Sequence, residues 1–430
     1  MGHLGQLKAE YRALVQRLDA SFMPFPAPED ERAFAGFREA LEILYRPEDA
    51  ALAARMPHKP ARLEELAARL GLPAAELAPR LEELCERGLV MDLIHPKSGE
   101  VRFMLSPPLG GFLEFSMMRA QDHIPKKRLA EALEAYLLGD DTFARELFAR
   151  PTKFGRALAD EGGLGDAPEV LDWERASAVI AEASHRAVSL CYCRHLAEHL
   201  GPRCDAPLDV CLSLGSGADF VVRRGFGRAI ERQEAQAILE ASREAGLVQL
   251  ADNVQRRPVF LCNCCGCCCE QLQAIRRHGL PAVNPSGFQP TSDPAACKGC
   301  GRCARSCPIG AIALEPTPGV AKRRQVLAPV VDLERCIGCG VCARACPQHA
   351  LSLVRRPKQP TVPASAFERV TAMALERGNL GALLFDDAGA GGRFLGKVLD
   401  ALTRLPAAQR ALAQTQVRSR FLGFFLGKKT

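Results

Sequence analysis

The stretch LCNCCGCCCE, Leu261 to Glu270, sets six cysteines into eight residues. Thiolates are nucleophiles, redox couples and strong ligands for soft metals. Three chemistries would use so many in one loop: a disulfide knot, a soft-metal site or an iron–sulfur site. Neighbouring residues of an extended segment point to opposite sides, so one centre cannot take all six of Cys262, Cys264, Cys265, Cys267, Cys268 and Cys269. The loop therefore either bridges two metal centres or keeps spare thiols for chemistry. Upstream, CYCRHLAEHLGPRCDAPLDVC supplies Cys191, Cys193, Cys204 and Cys211, enough for one four-iron cubane. Ten thiols in all could hold two cubanes and leave two free, or hold one cubane and a different, solvent-reachable site.

Downstream the chain repeats itself. DPAACKGCGRCARSCPIGAIAL begins at Asp293 and DLERCIGCGVCARACPQHALSL at Asp332, with twelve of twenty-two positions identical. Each copy holds C-x2-C-x2-C-x3-C-P. Close C-x2-C pairs let one tight loop supply three corners of a tetrahedral thiolate set. Gly299, Gly301, Gly338 and Gly340 permit the backbone conformations that wrap a cluster and aim N–H groups at its sulfurs. Zinc sites do not show this run twice with the trailing proline. The segment from Asp293 to Arg356 resembles the 2[4Fe–4S] ferredoxins of bacteria. The resemblance implies that the fourth cysteine of each run serves the other cluster. One cluster would then take Cys297, Cys300, Cys303 and Cys346, and the other Cys336, Cys339, Cys342 and Cys307. It also implies single-electron transfer without bond chemistry.

From about Val170 to Arg356, the order C-x-C-R, then C-N-C-C-G-C-C-C, then the ferredoxin run is similar to a group of cysteine-rich 4Fe-4S-binding proteins of anaerobic bacteria and archaea. What that implies is electron transfer at iron–sulfur clusters, with no substrate attached. The C-C-G string also echoes heterodisulfide reductase-type subunits, whose motifs come in widely separated tandem blocks; here one compact block stands alone. Arg194 could offset a cluster's negative charge or be a surface arginine. His195 and His199, one helical turn apart, could ligate metal, but no acidic partner accompanies them and polar or capping roles are the simpler expectation. Neither a dinucleotide fingerprint nor a Walker sequence occurs, so neither NAD nor ATP is expected.

The elements that must position these cysteines follow from pattern. Of nineteen cysteines, only Cys85 precedes Cys191, and none follows Cys346. In ERAFAGFREALEILYR, Phe34, Phe37, Leu41 and Leu44 recur at helical spacing. Leu63, Leu66 and Leu70 stripe a second helix closed by Gly71. A third runs to Arg87 before Gly88, and VMDLIHPKSGEVRFMLS reads as a hairpin. Helix, turn, helix and hairpin resemble a winged helix-turn-helix. Pro79 falls inside its would-be recognition helix, as a start or a kink. That helix holds four glutamates and two arginines, which counts against DNA. Cys85 is expected to be a core thiol. Residues 110–160 read as helical, ending in a glycine-rich linker at DEGGLGDAPE, and Val170 to Leu190 as an amphipathic helix. Gly225 to Asn253 reads as a helix, a glycine stop and a strand, and the tail places Phe367, Val370, Ala374 and Leu375 on one helix face.

The expected class is α+β. A helical, winged-helix-like domain spans 1–110 and a helical connector 111–169. An α/β cysteine-rich domain spans 170–290, a two-cluster ferredoxin-like domain 291–356 and a helical tail 357–430. The net charge of +6 permits an anionic partner without demanding one. A secretory signal, a membrane span and a twin-arginine start are not found, so a cytoplasmic setting with reduced thiols is expected, where many cysteines point to metal rather than disulfides. The favoured function is an iron–sulfur electron carrier or subunit with two [4Fe–4S] clusters and one or two more, working with redox partner proteins. A redox-responsive regulator and a thiol- or cluster-based reductase are the alternatives; no catalytic residue and no specific DNA partner are expected. The terminal VRSRFLGFFLGKKT is expected to dock on its own chain, on a partner or on a membrane surface.

Overall fold

A computed structural model describes residues 3–95, 97–164, 170–201, 203–316, 327–386 and 390–405. It is a mixture of helices and mostly antiparallel strands, an α+β arrangement. The chain divides into two compact units, Met1–Thr152 with Ser365–Thr430, and Lys153–Ala364.

The first unit opens with α1 (Ala9–Asp19), α2 (Glu31–Leu44) and α3 (Pro47–Ala53). The side chain of Asp30 caps α2 by accepting from the amide of Ala33. Phe34, Phe37, Leu41 and Leu44 all point into the core, as the spacing predicts. Next come α4 (Leu63–Leu70) and α5 (Ala74–Glu86), followed by strands β1 (Val90–Ile94) and β2 (Val101–Leu105), paired antiparallel with Val90 opposite Leu105. Gly71 closes α4 in the left-handed conformation. Pro79 lies inside α5 and faces outward, and Cys85 is a fully buried core thiol. A short α6 (Leu113–Phe115) leads to α7 (Lys126–Leu138) and α8 (Thr142–Phe148). Helices α2 and α7 pack closely at Gly36, where a methyl group would lie 2.4 Å from the carbonyl oxygen of Ala132.

In the second unit, β3 (Gly155–Ala157) enters a seven-stranded sheet with β4 (Arg186–Leu190) and β5 (Asp209–Leu214). The others are β6 (Arg228–Ala229), β7 (Val248–Asp252), β8 (Phe260–Cys264) and β9 (Val283–Asn284), in the order β6-β4-β5-β8-β7-β3-β9. Helices α9 (Ala176–Glu182), α10 (Tyr192–Leu200), α11 (Ser216–Arg223), α12 (Arg232–Glu244) and α13 (Glu270–His278) alternate with the strands. The single helix expected over 170–190 is corrected here. It stops at Glu182, and Arg186–Leu190 is β4, flanked on both sides by β5 and β6. Pairing on two sides and burial of Ala187, Val188 and Ser189 outweigh local helical preference.

One sheet face packs Val188, Leu212, Leu214, Ala251 and Leu261 against Val179, Ile180, Ala235 and Leu239 of α9 and α12. Because side chains alternate along a strand, Cys211, Cys262 and Cys264 fall on the opposite face. The chain then forms β10 (Phe288–Ser292), α14 (Arg302–Ser306), β11 (Ile312–Pro316), β12 (Leu327–Val331), α15 (Val341–Arg344) and β13 (Leu351–Arg355). Strand β10 pairs with β13, and β11 with β12.

The first unit resumes with α16 (Ala366–Arg377), α17 (Leu380–Phe385) and α18 (Ala390–Thr403). Arg17 pairs with Asp386, Arg377 with Asp19, and Lys59 donates to the Leu384 carbonyl at 2.6 Å. On α16, Ala374 and Leu375 are buried, while Phe367, in the first turn of the helix, is 55% exposed. The apolar segment 417–430 lies outside the described residues, as do residues 165–169 of the glycine-rich linker. Among the described residues no helix is long and apolar enough to cross a membrane.

Candidate functional site

The two repeat copies fold alike. The amide of Cys297 donates to Asp293 O at 3.1 Å, and that of Cys336 to Asp332 O at 2.9 Å. Gly299, Gly301, Gly338 and Gly340 all adopt positive φ. At Gly338 nothing larger fits, since a methyl group would lie 2.1 Å from the carbonyl oxygen of Phe288. The turns aim four amides at sulfur: Gly299 N to Cys297 at 3.5 Å, Gly338 N to Cys336 at 3.4 Å, Ala311 N to Cys307 at 3.2 Å and Ala350 N to Cys346 at 3.3 Å.

Two cavities result. One is lined by Cys297, Cys300, Cys303 and Cys346 with Leu314, Pro329 and Leu351. The other is lined by Cys307, Cys336, Cys339 and Cys342 with Ile309, Ile312 and Ile337. Each set draws three thiols from one copy and the fourth from the other. Burial pushes the Cys342 thiol up to about 12 and holds Cys339 well above the ordinary thiol value. Such sulfurs become thiolates only when a cation supplies the missing charge. Four soft donors, apolar walls and N–H···S bonds suit an iron–sulfur cluster in each cavity.

The ten upstream thiols separate into two groups. Register places Cys211 on β5 beside Cys262 on β8, since Leu212 pairs with Leu261. Cys262 lies well below the ordinary thiol value because Cys211 and Cys264 donate to its sulfur. Cys269 is likewise held down by Cys193 and Cys264. Burial raises Cys191 to about 12, with Cys262 and Cys269 near enough to add to the rise. Cys191, Cys193, Cys211, Cys262, Cys264 and Cys269 thus share one buried neighbourhood. Cys191 and Cys269 are the N-caps of α10 and α13, where free amides and the helix dipole favour a thiolate.

The second group is Cys204, Cys265, Cys267 and Cys268, whose sulfurs all lie within 4.8 Å of one another. The C-x-C pair and Cys211 are therefore not joined by Cys204, which meets the tip of the later loop instead. Gln273 of α13 holds that tip, donating to Gly266 O and, at 3.0 Å, to Cys267 O. Arg194 lies between the groups and is fully buried, so it is not a surface arginine. It donates to Pro207 O at 2.9 Å and Asn263 O at 3.1 Å. Burial opposes its charge, yet Cys191, Cys265 and Cys264 around it hold its pKa above the ordinary guanidinium value. His195 and His199 are 3.1 Å apart through their Nε2 atoms, one serving the other as hydrogen-bond partner.

The two regions touch. A methyl group on Gly266 would lie 2.3 Å from the carbonyl oxygen of Pro308, the residue after Cys307. Arg335, next to Cys336, donates to Ile275 O at 3.3 Å and Arg276 O at 3.0 Å. This places a cation at the C-terminus of the helix that Cys269 caps. Arg355 forms a forked pair with Glu174 at 2.8 and 2.9 Å, and Arg344 meets the buried Asp160 at 2.7 Å. An open cavity lies at the junction, lined by Cys204, Cys265 and Cys267, by Cys307 and Pro308, and by Asp205, Arg276 and Arg305. Sequence pattern pointed to none of Gln273, Arg276, Arg305 or Arg335, because nothing local marks a residue that acts on a distant turn.

No curated protein and no solved structure matches the chain. Residues 296–361 match the family model of the 4Fe-4S dicluster domain. That match, with the two cysteine-lined cavities it spans, makes this segment a ferredoxin-type 4Fe-4S module and the chain an iron–sulfur protein.

Proposed function

We propose that the chain is an electron-transfer protein or subunit. Cys297, Cys300, Cys303 and Cys346 hold one [4Fe–4S] cluster, and Cys336, Cys339, Cys342 and Cys307 the other. The clusters supply one-electron redox chemistry. The chain supplies thiolates, N–H···S bonds and an apolar shell, which tune the potential. The ten upstream thiols hold further centres, the six around Cys262 and Cys269 being the place for another cluster. The observation that carries this reading is the abutment of Gly266 on Pro308. It brings the tip of the thiol loop against the backbone that follows Cys307. Electrons exchanged with a redox partner protein at the ferredoxin module would cross there.

The regulator reading has less support. The first-unit helix α5 turns Glu76, Glu82, Glu83 and Glu86 away from its core. Arg87 is committed to Asp49 and Leu44 O. Such a face gains little from releasing phosphate counterions.

Iron and sulfide quantification with EPR on anaerobically purified protein tests the proposal. About twelve irons or more are expected if upstream clusters add to the eight of the ferredoxin pair. An iron content that stays at eight after reconstitution removes the upstream clusters.

A further inference from the structure

We propose that Cys204, Cys265, Cys267 and Cys268 bind a single divalent ion of the zinc or ferrous type, as a four-thiolate site separate from every cluster. This rests on the reading that the upstream thiols hold metal, and it names what the second group takes.

Distance is the first argument. A tetrahedral ion with metal–sulfur bonds of ~2.3 Å sets its sulfurs roughly 3.8 Å apart. All four sulfurs here lie within 4.8 Å of one another, and Cys267 and Cys268 are 3.7 Å apart. A cubane spreads its thiolates farther, because each one sits outside its own iron at a different corner. The chain carries its own comparison. Among the described residues no other three potential ligands have all donor atoms this close, so each ferredoxin foursome is more widely spaced.

The scaffold is the second argument. Three of the ligands come from one turn, Cys265–Gly266–Cys267–Cys268, whose carbonyls are pinned by Gln273. The fourth comes from the far side through Cys204. Four thiolates and a divalent ion leave a charge of −2. The buried Arg194 guanidinium lies near Cys265, and Arg276 and Arg305 outnumber Asp205 in the lining of the adjoining cavity, so net positive charge faces the site. That cavity is open and Cys267 is exposed, whereas the other nine upstream thiols are buried or half-buried. An ion here can exchange with solvent without unfolding the chain.

The experiment uses the full-length protein purified anaerobically, with cobalt(II) as the probe. Wild type should take up one cobalt per chain, with the charge-transfer and ligand-field bands of a tetrahedral thiolate complex. Acid-labile sulfide and the EPR of the reduced ferredoxin clusters should not change. Cys204→Ser and Cys268→Ser should each lose that cobalt signal and one metal ion, with no loss of sulfide. Independently of any variant, chelation of wild type should open Cys267 to iodoacetamide, read by mass spectrometry. Loss of four irons and four sulfides together in either variant would overturn the proposal and assign these thiols to a cubane. Failure of wild type to bind cobalt at all, with Cys267 equally reactive before and after chelation, would also overturn it. Intact ferredoxin EPR in those samples keeps the electron-transfer reading standing, while its absence would sink that reading instead.

Discussion

Replacing Gly266 by alanine tests the contact between the thiol loop and the ferredoxin module. The added methyl group would lie 2.3 Å from the Pro308 carbonyl oxygen and 2.9 Å from its carbonyl carbon and Cα. Ordinary contact begins at 3.4 Å, so relief needs a displacement of about 1.1 Å (3.4 − 2.3). All three obstructing atoms are backbone, held between Cys307 and β11, so no side chain can rotate out of the way. Overpacking of this kind costs ~1–3 kcal/mol. The unit spans 212 residues (364 − 153 + 1), and at that size each kcal/mol moves the midpoint by roughly 2–4 °C. Gly266→Ala should therefore melt about 2–12 °C below wild type. The assay is anaerobic scanning calorimetry at one fixed scan rate, because metal loss makes unfolding irreversible. Stopped-flow reduction of the upstream centres by electrons entering at the ferredoxin clusters should slow as well, while ferredoxin EPR is retained. A midpoint within 1 °C of wild type and an unchanged reduction rate would refute the reasoning, since the loop would then not be wedged against Pro308.

Four further outcomes are expected. His349 has a φ of +48°, and the matching residue of the first repeat is Gly310 at +65°; His349→Gly should raise the second unit's midpoint by about 1 kcal/mol equivalent, and a lower midpoint would count against strain there. Burial, helped by Arg17, lowers His58 from 6.5 to about 4, so folding favours the neutral ring. Its contribution, on the order of 3 kcal/mol, is present above pH 6.5 and lost as the pH falls towards 4; His58→Gln should flatten that profile in hydrogen exchange of the first unit. Cys85→Ala should leave iron and sulfide unchanged while costing the first unit about 1 kcal/mol, and lost iron would make Cys85 a ligand. In a gel-shift assay the full chain should give no sequence-selective, salt-sensitive band with duplex DNA; such a band would revive the regulator reading.

The ferredoxin module was legible because its chemistry is local. Glycines two residues after Cys297 and Cys336 fix the turns, and the repeat itself shows which thiols are equivalent. The N-terminal helices were legible for a similar reason: Leu66, Leu70, Phe34 and Phe37 recur at helical spacing and are buried where that spacing puts them. Cys85 fell beside such a stripe. The strand Arg186–Leu190 is not legible in the sequence, because a short apolar run has no period of its own; two flanking strands decide it. The partition of the upstream thiols belongs to tertiary structure. Cys211 meets Cys262 only through the register of β5 on β8, and Cys204 meets Cys265, Cys267 and Cys268 only because the chain between α10 and β5 folds back over the loop tip. Sequence separation says nothing of either contact: strand register is fixed by burying the opposite face of the sheet, on Leu212 and Leu261, and not by the cysteines beside them.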